Sequence, residues 1–111
     1  MDFQDLITLS ELQEELERVI EDENEAGIIL AQKEADYKIA VNKKALKLRA
    51  DGIPVTLLST IIYGYPEIAN KRLERDIAES NRNTLKEKIN SLKLRIRIKN
   101  EQISREWYHN G

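Results

Sequence analysis

The sequence predicts an all-α protein: a long antiparallel helical hairpin, coiled-coil-like, with a short helical connection. Three observations carry that reading. Only four Gly and two Pro interrupt 111 residues. Charged residues make up 34% of the chain and aromatics 5%, a mixture that fits long exposed helices better than a thick-cored globule. Apolar residues, 41% of the total, recur at three- and four-residue intervals, which separates the chain from a disordered one of similar charge. One domain over residues 1–111 is expected, with helix 1 at about 10–50, a connection at about 51–65 and helix 2 at about 66–107.

Between Ser10 and Ala50 only Gly27 is a helix breaker. Ser10-Glu11-Leu12-Gln13 has the form of a capping box, in which the hydroxyl accepts an orphan backbone N–H and the Gln reaches back. Leu9, Leu12, Leu16, Val19, Ala26, Leu30, Tyr37, Val41, Ala45 and Leu48 form one apolar stripe, with Glu23, Lys33 and Lys44 as imperfections near it. Asp51-Gly52 ends the helix, Gly52 suiting a left-handed cap, and Pro54 follows as a stop.

The connection holds the most hydrophobic stretch of the chain, Pro54 to Tyr63, and residues 55–63 read as a short helix. A strand there would have no partner. Pro66 fits the first turn of the second long helix, and Glu67 suits its positive dipole end. The expected stripe on that helix is Ala69, Leu73, Ile77, Leu85, Ile89, Leu92, Ile96, Ile103 and Trp107, interrupted by Lys99. Each long helix then has about 40 residues and a length of roughly 60 Å.

Charge is segregated along the chain. Residues 1–37 carry 12 acids and 2 bases, residues 38–50 carry 5 bases and no acid, and residues 82–100 carry 7 bases and 1 acid; the net charge of −2 conceals this. Folding about Leu58 sets residue 16 opposite residue 100, and residue 23 opposite residue 93. Glu21, Asp22, Glu23 and Glu25 would then face Lys88, Lys93, Arg95 and Arg97, so internal pairing that fixes register is the simplest expectation. Two binding readings compete with it. Lys86, Lys88, Lys93, Arg95, Arg97 and Lys99 form a candidate nucleic-acid-binding set, although no aromatics are interleaved to stack on bases. The acidic residues Glu11, Glu14, Glu15, Glu17, Glu21, Asp22 and Glu25 form a candidate protein-binding face that imitates DNA in a basic groove.

Nothing in the residues points to catalysis, and no cofactor or metal is expected. The single His109 lies near the chain end without a positioned partner, and there is no cysteine, no Gly-rich phosphate loop and no nucleophile motif. Carboxylates one turn apart, Glu11/Glu15 and Glu21/Glu25, lack the Glu-x-x-His that a bundle metal site uses. The amino-terminal residues do not resemble a signal peptide and no run is long enough to span a bilayer, so a soluble cytoplasmic protein is expected, without membrane contact.

The connection supplies a second candidate protein-binding surface. Leu57, Leu58, Ile61, Ile62, Tyr63 and Tyr65 either cap the end of the two-helix seam or form a contact patch. Trp107 and Tyr108 pose the same choice at the other end. Two helices bury little on their own, and Ile20, Ile28, Ile29, Ile39, Leu46, Leu94 and Ile98 would remain exposed. A homo-oligomer, as a four-helix dimer, is therefore expected.

The run from Leu73-Glu74-Arg75-Asp76-Ile77-Ala78-Glu79 through Lys88-Ile89-Asn90-Ser91-Leu92-Lys93, the ending Ser104-Arg105-Glu106-Trp107, and Asp51-Gly52-Ile53-Pro54-Val55 resemble small uncharacterised helical proteins of phages that infect Gram-positive bacteria. The likeness covers most of the chain. Such proteins are encoded near early recombination and replication genes. The resemblance implies the cytoplasm of an infected bacterium, and a role in binding and modulating or inhibiting a host nucleic-acid-processing or defence protein. It carries no site residues. The other readings are a nucleic-acid-binding recombination or replication accessory protein and a structural coiled-coil scaffold.

Overall fold

The computed structural model describes residues 2–110 of the backbone, and side chains as far as Tyr108. The fold is an all-α helical hairpin with no strand among the described residues: α1 (Phe3–Ala50), α2 (Val55–Ile61), a 3₁₀ turn (Ile62–Gly64) and α3 (Pro66–Asn110).

α1 begins seven residues before the expected Ser10. Asp2 caps it, its Oδ1 accepting a hydrogen bond from the Gln4 N–H at 3.1 Å. Ser10 therefore lies inside the helix and forms no capping box: its backbone N–H is no longer an orphan. Gly27 does not interrupt the helix either. A Cβ there would stand 3.2 Å from the Arg82 guanidinium carbon, so the missing side chain lets Arg82 lie close to α1.

α1 ends in a Schellman motif. Gly52 takes φ +92°, its N–H donates to the Arg49 carbonyl, and the Ile53 N–H donates to the Leu48 carbonyl, each at 3.0 Å. Pro54 then directs the chain into α2, and Pro66 opens α3 with Glu67 in its first turn. The expected helix over 55–63 is a seven-residue α-helix tightened into a 3₁₀ turn.

The contacts fall into two compact units, where the sequence reads as one domain. The first combines residues up to Glu25 with those from Asn83 onward; the second is Ala26–Arg82. In the first unit Leu12, Val19 and Leu92 form the core, with Leu16, Leu85, Ile89 and Ile96 packed against it. In the second, Leu48, Leu58, Ile62, Ile68 and Ala78 are buried.

The expected stripe of α1 is buried or half-buried throughout. The stripe of α3 needs correction in the second unit. Ala69, Leu73 and Ile77 face outward, Leu73 and Ile77 being 57% and 53% exposed, while Ile68 is fully enclosed. The inward positions there are Ile68, Lys71, Arg75, Ala78 and Arg82, a strict alternation of three and four residues. In the first unit it runs Leu85, Ile89, Leu92, Ile96, Lys99, Ile103 and Glu106, so Glu106 takes the inward place expected of Trp107.

Truncating the enclosed residues, by Ile68→Ala or Leu92→Ala, is expected to cost about 2–5 kcal/mol in urea denaturation at low protein concentration. Leu73→Ala and Ile77→Ala should stay within about 0.5 kcal/mol of the wild type. The opposite ranking would restore the stripe through Ala69, Leu73 and Ile77.

Candidate protein-interaction surface

The residues that interrupt the apolar stripes are where the two long helices meet through polar groups. In the first unit Lys99 Nζ lies 2.8 Å from Asp5 Oδ1, with side chains only 19% and 15% exposed. Lys99 also donates to Gln102 Oε1 at 3.3 Å, and Gln102 Nε2 donates to Glu106 Oε1 at 3.3 Å. Higher on the same helices Lys88 Nζ approaches Glu15 at 3.7 Å. In the second unit Lys44 Nζ meets Glu67 at 2.7 Å and lies 4.0 Å from the centre of the Tyr65 ring. Glu74 Oε2 sits 3.7 Å from Lys33 and 3.5 Å from Lys71, while the Arg75 guanidinium stacks over Tyr37 and bonds Asp76 at 2.8 Å.

These pairs correct the expected register. Folding about Leu58 places Lys44 opposite residue 72, yet it meets Glu67 and Tyr65. α3 thus starts beside Lys44, short of the end of α1 at Ala50, because the connection is not a symmetric loop. In the first unit Glu15 likewise meets Lys88 rather than a residue near 101.

The correction releases most of the segregated charge. Glu11, Glu14, Glu17, Glu21, Asp22 and Glu25 are exposed, and no ion pair among the described residues engages them. Lys86, Lys93, Arg95 and Arg97 are likewise exposed and outside any such pair. Of the six bases singled out, Lys88 is offset by Glu15 and Lys99 is drawn into the seam. The expected facing of Glu21, Asp22 and Glu25 with Lys93, Arg95 and Arg97 does not occur among these contacts; the offset register carries the two sets past one another.

The connection divides in two. Leu58 and Ile62 are buried and act as caps, which removes them from the contact patch; the turns of α2 and the 3₁₀ segment point them inward. Leu57 and Tyr63 are exposed, with Val55 beside them, while Ile61 and Tyr65 are half-buried and line a shallow cleft with Thr60, Gly64 and Pro66. Trp107 and Tyr108 are exposed, and the side chain of His109 lies outside the described residues. Ile20, Ile28, Ile29, Ile39, Leu46, Leu94 and Ile98 are exposed as expected; Leu73 and Ile77 join them, hidden from sequence reasoning by the polar seam positions of α3.

Among the described residues no three His, Asp or Glu side chains converge in a way that could hold a metal ion. No helix among the described residues is long and apolar enough to cross a membrane. No protein-family model, curated protein or solved structure matches the chain.

The Lys99 ammonium, through its hydrogen bond and then its charge, holds the Asp5 carboxyl below its ordinary pKa; Lys44 does the same for Glu67, aided by the Glu67 backbone N–H. A carboxyl depressed in the folded state stabilises above its unfolded pKa and loses that contribution as pH falls through the folded one. The melting temperature of the wild type should therefore exceed that of Asp5→Asn at pH 7, with the gap closing below about pH 4. Thermal melts followed by circular dichroism across that range measure it; a gap independent of pH would contradict the pairing.

Proposed function

We propose that the chain is a non-enzymatic interaction protein that binds and inhibits a nucleic-acid-processing protein of a bacterial host, as the resemblance to phage proteins implies. One observation carries the reading: the exposed acids of α1 are not consumed by the hairpin. Glu14, Glu17 and Glu21 follow one another at three- and four-residue steps along the side of α1 away from the seam, and Glu11, Asp22 and Glu25 flank them.

The charge density suits a basic groove. Residues 11–25 span about 21 Å of helix. Their six exposed acids and the single exposed base, Arg18, leave about one net negative charge per 4 Å, against about 3.4 Å per phosphate along one DNA strand. Such a ridge raises the encounter rate with a positive surface and competes with nucleic acid for it. Leu57 and Tyr63, exposed at the turn, are a separate apolar contact on the same reading.

Self-association accompanies this reading. Among the described residues sixteen large hydrophobic side chains are exposed and eight hydrophobic residues are buried, so much of the apolar surface is uncovered in a single copy.

A second reading has its own observation. Lys86, Lys93 and Arg97, with Asn90 between them, form an exposed row at three- and four-residue steps on one side of α3, suited to phosphates.

The test uses a DNA-degrading bacterial exonuclease and a duplex substrate. The chain should inhibit the enzyme in a salt-sensitive manner, and Glu14→Lys with Glu17→Lys and Glu21→Lys should weaken inhibition about tenfold or more. Tight binding of the chain itself to DNA or RNA at low salt, weakened by Lys93→Glu and Arg97→Glu, would overturn this in favour of the second reading.

A further inference from the structure

In the second unit α1 carries two regular rows, and only one of them is covered. The inward row is Ala26, Leu30, Lys33, Tyr37, Ala40 and Lys44, all half-buried. Two residues after each, about 200° further round the helix, stand Ile28, Gln32, Ala35, Ile39, Asn42 and Leu46. All six are exposed, Ile28, Ile39 and Leu46 by 55%, 52% and 67%. They keep the same alternation of four and three residues, which is the spacing of a helix-pairing seam. Exposed Asp36 and Lys43 run along its edge, outside any ion pair among the described residues.

We infer that this outer row is the seam on which two copies of the chain associate, α1 lying antiparallel on α1 of the second copy about a two-fold axis at the level of Tyr37. The inference rests on the self-association proposed above and names the face that carries it. The row is complementary to its own reverse. About residue 37, Ile28 meets Leu46 of the second copy, Gln32 meets its Asn42, and Ala35 meets its Ile39; the two-fold repeats each contact. Apolar groups thus meet apolar ones, a small side chain faces a large one, and each amide finds an amide with which to exchange hydrogen bonds. Occupant and direction both follow. A parallel pair would set Ala35 on Ala35 and leave a gap, and sliding the antiparallel pair by one heptad would set Ile39 on Asn42.

Charge agrees with that direction. Helical side chains lean toward their own amino terminus, so in the antiparallel pair Asp36 leans away from Asp36 of the second copy and toward its Lys43. On the opposite edge Lys38 faces its own copy, and Glu34 one turn before it moderates the repulsion. The row spans about 27 Å. Counting Ile29, Asp36 and Lys43 along its edge, it offers roughly 600 Å² of accessible surface per copy and about 1,200 Å² in all, the lower limit of standard interfaces, so the dimer should dissociate on dilution.

The chain has no cysteine, so introduced thiols report the pairing directly. Ile28→Cys and Leu46→Cys change exposed side chains, and circular dichroism verifies that each variant melts like the wild type. Sedimentation velocity should find the wild type dimerising as its concentration rises. Mild oxidation should crosslink an equimolar mixture of the two variants and leave each variant alone uncrosslinked, because the two copies of either position lie about 27 Å apart, far beyond disulfide reach. Ile39→Glu, also at an exposed position, should weaken association at least about tenfold without loss of helix. A wild type that dimerises without the mixed crosslink, a strong crosslink in either variant alone, or undiminished association of Ile39→Glu would each overturn the inference and leave self-association standing. A wild type that stays monomeric would overturn both. Since Glu14, Glu17 and Glu21 are untouched, exonuclease inhibition by Ile39→Glu reports separately on the host partner.

Discussion

Asp5 and Lys99 meet at 2.8 Å inside the seam of the hairpin, and the remaining structure depends on contacts of that kind. A purely apolar two-helix seam with a heptad rhythm matches itself again one heptad away, so it sets direction weakly and register hardly at all. Here polar positions break the degeneracy. Sliding one helix by a turn would separate Asp5 from Lys99 in the first unit, or Lys44 from Glu67 and Tyr65 in the second, leaving half-buried charges unpaired. Such pairs add little net stability, because their desolvation offsets their attraction, but an unpaired partner is costly. Their contribution is to disfavour the wrong alignments.

The apolar side chains fit into that frame. Leu12, Val19 and Leu92 close the core of the first unit, and Ile68 is enclosed near the start of α3 in the second. The Schellman turn at Gly52 and the caps Leu58 and Ile62 make the reversal, and α3 enters beside Lys44. This entry point decides which charges are neutralised within the hairpin and which remain on its surface. The free acids of α1 and the free bases of α3 follow from the offset register, and the surface proposed for a host protein is drawn from the acids.

Much of the hairpin was legible in the sequence. The stripe of α1 from Leu9 to Leu48, the Gly52 cap, the short connecting helix and the Pro66 start all follow from local chemistry and periodicity. The first half of α3 was not. Ala69, Leu73 and Ile77 form a regular apolar row, whereas the true seam includes Lys71, Arg75 and Arg82; Arg75 lies over Tyr37 and Arg82 beside Gly27, neighbours on α1 that cannot be known from α3 alone. The start of α1 was missed because Ser10 to Gln13 has the form of a cap, while the residue that caps, Asp2, has no apolar run immediately after it. Of the candidate surface, the acids and bases were identifiable by type. Whether they pair internally depended on register, which a midpoint fold about Leu58 misplaces when the connection is asymmetric.

The claim that polar pairs set the register is tested most directly by a charge-swap cycle on Asp5 and Lys99, read as thermal melting temperature at pH 7 and low salt. Asp5→Lys alone and Lys99→Asp alone each place like charges in the seam and should lower the melting temperature. The double swap restores an opposite pair in reversed order and should recover most of that loss. If the double variant instead melts at the sum of the two single losses, the two residues do not act on each other, and the register of the hairpin has another origin.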